Sequence, residues 1–259
     1  MRLIALSSCR TPCTLLSDGR GGLPVEAVFE DVSADELAAA LAGAPVTPDV
    51  PYGCLLVRAP DALVLVDTGL GAAEHPFGGT GGELWAELER AGVAVADVDI
   101  VVVSHGHLDH IGGLTRAGRP AFPRARYVMA AGEWSHWTSS AVVDGLSPFA
   151  AGPAREQLPP LEGVLEQISE EVEVADGVRL VPAPGHTPAH LAVEVGESGG
   201  LLFAVDALLH PLQARRPDWG HGLDHDGDAA VATRRALLAR AADRGHVLAA
   251  SHWDDVVSP

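Results

Sequence analysis

The sequence predicts a layered α/β protein. Three observations lead there. Apolar runs of strand length alternate with amphipathic helical segments along the 259 residues. The segments between them are rich in glycine, proline and polar residues. No early stretch approaches the roughly twenty apolar residues of a membrane span, so a single cytoplasmic domain over 1–259 is the expectation.

The elements follow in order. "RLIAL" at 2–6 and "GCLLVRA" at 53–59 are strands. Between them "SADELAAALAG" is a helix, with Ser33 as its cap, Glu36 three residues on, and Gly43 as its stop. "ALVLVDTGLG" at 62–71 is a buried strand ending in a polar turn. "GGELWAELERAGV" is a second amphipathic helix. "DIVVV" at 99–103 is a strand that runs into "SHGHLDH". "ARYVMAAGEW" reads as a strand followed by a turn or short helix. Residues 138–163 hold proline, glycine and small side chains, and are expected to form a surface insertion or helical lobe. "GVRLVPAPGHTPAHLAVEVG" gives two strands around a histidine turn. "GLLFAVDALLH" is a strand ending at Asp206, "DAAVATRRALLARAADRG" a long helix, and "HVLAASHWDD" a last strand ending at His252.

Composition excludes several function classes. The formal net charge is −18, with 35 acidic side chains against 17 basic ones, all of them arginine. No run supplies the basic patch that grips a phosphate backbone, so nucleic acid is not an expected partner. No membrane partner is expected either. Cys9, Cys13 and Cys54 form no disulfide framework and lack the second cysteine pair of a thiolate metal site. "GTGG" at 79–82 lacks the lysine of a phosphate loop, and "DWGHGLDHDGD" lacks calcium-loop spacing.

The chemistry concentrates at strand ends. Asp67, His105, Asp206 and His252 each follow an apolar run within a residue or two, and His186 sits in a proline–glycine turn. A lone histidine after a strand is ordinarily a capping or solvent-facing residue. Five such segments together are hard to explain by packing, and strand ends are rigid mounts for a ligand set. Imidazoles and carboxylates without thiolates suit zinc, manganese or iron. His105 and His107 alternate and point the same way in an extended chain, whereas Asp109 and His110 are adjacent and point apart. That arrangement calls for two metal positions, with His186, Asp206 and His252 as the further candidates.

These residues resemble the metallo-β-lactamase fold superfamily. "SHGHLDHIGG" matches its HxHxDH signature, and "VDTGLG", "PGHTPAH", "FAVDALLH" and the C-terminal "SHW" match its other motifs in order, from about Leu3 to Val257. The resemblance implies a four-layer αβ/βα sandwich with two divalent metals, zinc first and manganese or iron as alternatives, at one edge. It implies that His105, His107 and His186 hold one metal, that Asp109, His110 and His252 hold the other, and that Asp206 bridges them. Asp67 then supports the histidine loop. A metal-bridging hydroxide is the implied nucleophile, with Asp109 also moving a proton. Val205 departs from the glycine that many relatives carry there.

Within that superfamily the chain is most similar to the branch of quorum-quenching lactonases and methyl parathion hydrolase-like phosphotriester hydrolases. The expectation is hydrolysis of a small neutral ester or lactone. A phosphotriester hydrolase, a glyoxalase II-like thioesterase, a single-iron sulfur dioxygenase and a non-enzymatic metal-binding scaffold stay open as alternatives. Trp134, Trp137, Phe149, Leu209 and His210 are expected to wall the substrate pocket. Leu209 stands where the well-known lactonases carry a tyrosine that holds the substrate carbonyl. His190 is expected behind the ligands, and His221 and His225 in a loop near solvent. A homodimer is expected, since the tryptophans and the segment 138–163 suggest a surface that a second copy covers.

Overall fold

The structure is a computed structural model that describes residues 2–4, 11–220 and 222–258. Cys9 and His221, considered above, lie outside the described residues. Seven strands form the first sheet: β1 (Arg2–Ile4), β2 (Cys13–Gly22), β3 (Asp49–Arg58), β4 (Leu63–Val66), β5 (Ile100–Val103), β8 (Arg126–Ala130) and β9 (Leu165–Ile168), in that spatial order. A small hairpin, β6 (Thr115–Arg116) with β7 (Arg119–Pro120), stands apart. The second sheet holds β10 (Val172–Ala175), β11 (Val178–Pro182), β12 (Leu191–Val195), β13 (Leu201–Phe203) and β14 (Val247–Ala249), again in order. The helices are α1 (Val25–Val28), α2 (Ala34–Leu41), α3 (Leu84–Arg90), α4 (Leu108–Ile111), α5 (Ala131–Thr138), α6 (Ser140–Val143), α7 (Pro148–Gln157) and α8 (Gly227–Arg244).

Strand alternation builds the four layers. Ile100 and Val102 of β5 face the second sheet, and they join Val64, Val66, Leu55 and Val57 against Val193, Leu201 and Phe203. Val101 and Val103 face the other way, onto Leu84 and Leu88 of α3, Ile111 of α4, Trp137 of α5 and Ala154 of α7. On the far side, Leu202 and Leu248 meet Leu237 and Ala241 of α8. Helices, sheet, sheet and helices thus stack as the αβ/βα sandwich.

Local chemistry sets the helix ends. Ser33 accepts the Glu36 N–H at the start of α2, and Asp226 accepts the Ala229 N–H at the start of α8. Gly245, at φ 63°, ends α8 in the left-handed conformation. The β4–β5, β5–β8, β8–β9 and β13–β14 pairs are parallel. Segments 67–71, 104–110 and 204–210 leave the carboxyl ends of such strands, and 250–253 leaves β14 beside them. That places the chemistry at one edge, where open α/β sheets bind ligands.

One element differs from the sequence reading. The long strand β2 was not expected from "CTLLSDGRGG", where Asp18 and three glycines break the apolar pattern. Asp18 is buried because its carboxylate accepts three backbone N–H groups, from Gly71 at 2.7 Å, Gly82 at 3.0 Å and Leu84 at 2.8 Å. This ties the loop after β4 to the start of α3. Residues 138–163 form α6, α7 and a 3-10 turn, and bury Ala154, Leu158 and Leu161 under the first sheet. No helix among the described residues is long and apolar enough to cross a membrane.

Candidate metal centre

Two donor groups converge at the sheet edge. His105, His107, His186 and Asp206 bring one ligand atom each to within 4.8 Å of one another, and so do Asp109, His110 and His252. In the first group His107 Nδ1 lies 3.0 Å from both His105 Nε2 and His186 Nε2. Asp206 Oδ2 is 3.8 Å from His105 Nε2 and 3.6 Å from His186 Nε2. The same oxygen lies 3.3 Å from both His110 Nε2 and His252 Nε2 in the second group. Asp109 Oδ2 completes that group, 3.8 Å from His110 Nε2 and 3.5 Å from His252 Nε2. One carboxylate therefore faces both groups.

The rings are aimed by their remaining nitrogens. His110 Nδ1 lies 2.8 Å from Asp67 Oδ2. The same carboxylate accepts the Ser104 backbone N–H at 2.8 Å and the Ser104 hydroxyl at 2.7 Å. His105 Nδ1 sits 3.0 Å from that hydroxyl, so Asp67 steers two ligand rings. His252 Nδ1 donates to the Pro51 carbonyl at 3.0 Å. His186 Nδ1 lies 3.3 Å from Asp224 Oδ1, whose other oxygen accepts from Arg234 Nη1 at 2.9 Å. A carboxylate or carbonyl behind a ligating imidazole fixes its tautomer and raises its basicity.

Three of these supports were missed in the sequence. Asp224 belongs to a loop expected near solvent, yet its side chain is 1% exposed and packs beside the equally buried Arg234. Arg234 also donates Nε to the Pro217 carbonyl at 2.8 Å. Glu133 is wholly buried and accepts from Ala189 N at 2.8 Å, Trp137 Nε1 at 2.7 Å and Gly106 N at 3.3 Å. It thereby ties the loop of His107 to the loop of His186. A Cβ on Gly106 would come within 2.3 Å of Trp137, so only glycine lets the histidine loop lie against that indole.

Charge differs between the groups. Burial, then His110 and His107, push the His105 pKa well below the imidazole range, and burial with His186 pushes His107 down to about 3. Burial also opposes charge on His110 and His252. There Asp206 and Asp109 outweigh it and raise both. In turn those two imidazoles overcome burial and hold the carboxyls of Asp109 and Asp206 below their usual range. His110 Nε2 and Asp206 Oδ1 are buried without a hydrogen-bond partner. Such orphaned atoms are costly unless a further group satisfies them. A set of imidazoles and carboxylates free of thiolate, with unmet lone pairs facing one another, fits two divalent cations.

Two of the bridging stretch's neighbours are unusual. Val205 adopts φ 53° and Asp67 φ 63°, a region that costs L-residues about 1–2 kcal/mol. This gives a physical reason why glycine suits the position before the bridging aspartate. Beyond it, His190 Nε2 accepts the Asp206 N–H at 3.3 Å, so His190 sits directly behind the shared carboxylate.

A cavity of about 290 Å³ opens on the donors. Leu23, Val50, Phe77, Phe149, Leu209 and Leu223 give it an apolar wall. Phe149 and Leu209 of the expected pocket residues line it; Trp134, Trp137 and His210 do not. Trp137 is buried under the histidine loop, its ring 5.2 Å from His107, and the partly buried Trp134 packs against the same core. His210 turns to Phe29, 5.4 Å away, and its Nδ1 accepts the Leu212 N–H. His225 is exposed, 5.5 Å from His136. Tyr52 and His75, not picked out in the sequence, do line the cavity.

Comparisons with known proteins agree with this geometry. The sequence model of the metallo-beta-lactamase superfamily matches residues 48–252. An N-acyl homoserine lactonase of Bacillus sp. is 29% identical over 182 residues, which cover 61% of this chain and 64% of the lactonase. The chain thus spans less than two thirds of the length of the curated lactonases it matches. The structure of AidC, a dizinc quorum-quenching lactonase in complex with a product, superposes with a TM-score of 0.81 at 25% identity, covering 98% of this chain and 92% of AidC. A quorum-quenching N-acyl homoserine lactone lactonase at 20% identity shares the fold, with a TM-score of 0.73, over 96% of this chain and 94% of that one. With its sandwich, its ordered histidine and aspartate motifs and a family match over most of its length, the chain belongs to the metallo-beta-lactamase superfamily.

Proposed function

We propose that the protein is a binuclear metal-dependent hydrolase of small, neutral esters or lactones that carry an apolar acyl group. The observation that supports this most is the pairing of two donor groups through Asp206 with an apolar cavity directly over them. In this reading His105, His107 and His186 hold one divalent cation, Asp109, His110 and His252 hold the other, and Asp206 serves both. Bound there, two cations such as zinc would polarise the substrate carbonyl and make a water nucleophilic at neutral pH.

The chain's own residues supply the rest. Asp67, Asp224 and the Pro51 carbonyl keep the ligand rings aimed, so that little reorganisation is needed as charge develops. Asp109 takes up a proton at its carboxylate and passes it to the leaving oxygen. Leu23, Val50, Phe77, Leu209 and Leu223 exclude water and hold the acyl chain. Among the described residues the cavity wall presents no arginine, which disfavours a polyanionic substrate. Similarity to N-acyl homoserine lactonases supports a lactone.

A panel of acyl lactones, aryl esters, aryl phosphotriesters and glutathione thioesters, assayed with the same metal, tests the proposal. Lactone or aryl ester should lead the thioester clearly. A tenfold advantage for the thioester, about 1.4 kcal/mol of transition-state preference, would move the assignment to a thioesterase. The pairing of two copies belongs to the same reading. Phe149 and Val164, in or beside the segment 138–163, expose apolar side chains that a second copy could cover. Light scattering at micromolar concentration that gives the mass of one chain would count against it.

A further inference from the structure

The cavity over the donors is short of hydrogen-bond donors. Among the described residues its polar lining consists of His107, Asp109, His186, Asp206 and His252, with Tyr52 and His75. Tyr52 donates its hydroxyl to the Gly78 carbonyl at 3.1 Å, and a phenol has one proton to give. The remaining side chains are apolar. A carbonyl substrate entering this cavity meets one uncommitted side-chain donor among the described residues, and it is His75.

The loop fixes which nitrogen of His75 carries the proton. Phe77 N–H donates to His75 Nδ1 at 3.3 Å, so Nδ1 is the acceptor and the neutral ring bears its proton on Nε2. The ring is held between two aromatic neighbours, Tyr52 at 5.3 Å and Phe77 at 5.6 Å between centroids. Tyr52 in turn meets His252 edge-on at 6.5 Å. His75 therefore stands on the wall beside the second donor group. It is absent from both convergent ligand groups.

We propose that His75 Nε2–H is a hydrogen-bond donor to the carbonyl oxygen of the bound ester or lactone, and so a catalytic residue of this site. The inference rests on the hydrolase reading above. A preorganised donor aimed at an oxygen that gains charge strengthens its bond in the transition state, and removing such a donor costs other enzymes about 10²–10³ in kcat. The wall is partly open to solvent here, so at least a tenfold loss is expected.

The test uses the metal-loaded full chain and two variants, His75→Phe, which removes the donor, and His75→Gln, which keeps one. Turnover of an acyl lactone and an aryl ester is measured beside metal content and the binding of an N-acyl γ-lactam, which presents the carbonyl and resists hydrolysis. His75→Phe should lose at least tenfold in kcat/KM and bind the lactam several-fold more weakly, with metal content unchanged. His75→Gln should recover at least threefold over His75→Phe. His75→Phe within threefold of the parent chain overturns the proposal. So does a fall in metal content, which would make His75 a ligand or a structural support. His75→Gln as poor as His75→Phe also overturns it. If the parent chain turns over the esters, only the role of His75 is lost by these results. If the parent chain neither turns over the esters nor binds the lactam, the hydrolase reading falls, and the role of His75 with it.

Discussion

The two donor groups are built from the same residue types but braced in different ways. The second group leans on Asp67, one residue past β4, which reaches both His110 and the Ser104 hydroxyl behind His105. The first group leans on Asp224 with Arg234 behind His186, and on Glu133 between the loops of His107 and His186. Their electrostatics differ in the same sense. His105 and His107 of the first group are pushed down by burial and neighbouring imidazoles, whereas carboxylates raise His110 and His252 of the second. Asp206 is what joins them. The lesson is that the two groups rest chiefly on different carboxylates, Asp67 behind His110 and Asp224 behind His186, while Asp206 and the Ser104 hydroxyl couple them, so the two braces should fail differently.

The largest break removes the joint. Asp206→Asn keeps the shape but loses the charge common to both groups. Turnover should fall by more than about a hundredfold, beyond the 10–100-fold typical of residues behind the ligands. Metal analysis should show less than the parent chain's content. Unchanged activity with unchanged metal would refute the shared role.

Next come the two braces, compared side by side. Asp67→Asn should weaken metal holding about 10–100-fold in the second group and disturb His105 as well. Asp224→Asn should act mainly on the first group, through His186. Competition titration with a chelator resolves the two steps. If Asp224→Asn weakens the second group's step as much as Asp67→Asn does, the division into differently braced groups is wrong. Arg234→Met adds a stability readout, because it strands a buried carboxylate. Breaking a buried pair from one side costs about 3–5 kcal/mol, far above what a surface arginine would cost in thermal unfolding.

A smaller effect sharpens the account of the bridging strand. Val205 is fully buried in the inter-sheet core at φ 53°. Val205→Gly loses apolar contact but gains back the roughly 1–2 kcal/mol of left-handed strain. Val102→Gly, in regular β5, loses the contact and gains nothing. Denaturant unfolding should place Val205→Gly the milder of the pair by about 1 kcal/mol; the reverse order would mean the strain is not there.

How legible each part was in the sequence follows the same division. The donors stood out because His and Asp are improbable after buried strands, and they recur at four strand ends or turns. Asp67 shared that signal. Glu133 lies in an ordinary helical stretch, and Arg234 is one arginine among several on α8. Nothing local tells a buried charge from a solvated one, since the distinction lies in partners that other loops supply. Asp224 was misjudged for that reason, as was β2, whose Asp18 is satisfied by backbone groups distant in the chain. The pocket was the least legible. Trp134 and Trp137 look like walls because they are large, yet Trp137 is buried on Glu133 and Trp134 packs half-buried against the same core. Donor positions are fixed by motif chemistry, whereas walls are fixed by how whole loops pack.

The most direct test is metal stoichiometry. The protein, loaded with zinc and dialysed against metal-free buffer, is measured by elemental analysis against its own concentration, alongside Asp109→Asn. Two groups sharing Asp206 predict two divalent ions per chain for the parent protein and one for the variant, with turnover lost when the second ion is lost. One ion per chain in both, with full activity in Asp109→Asn, would contradict the binuclear account.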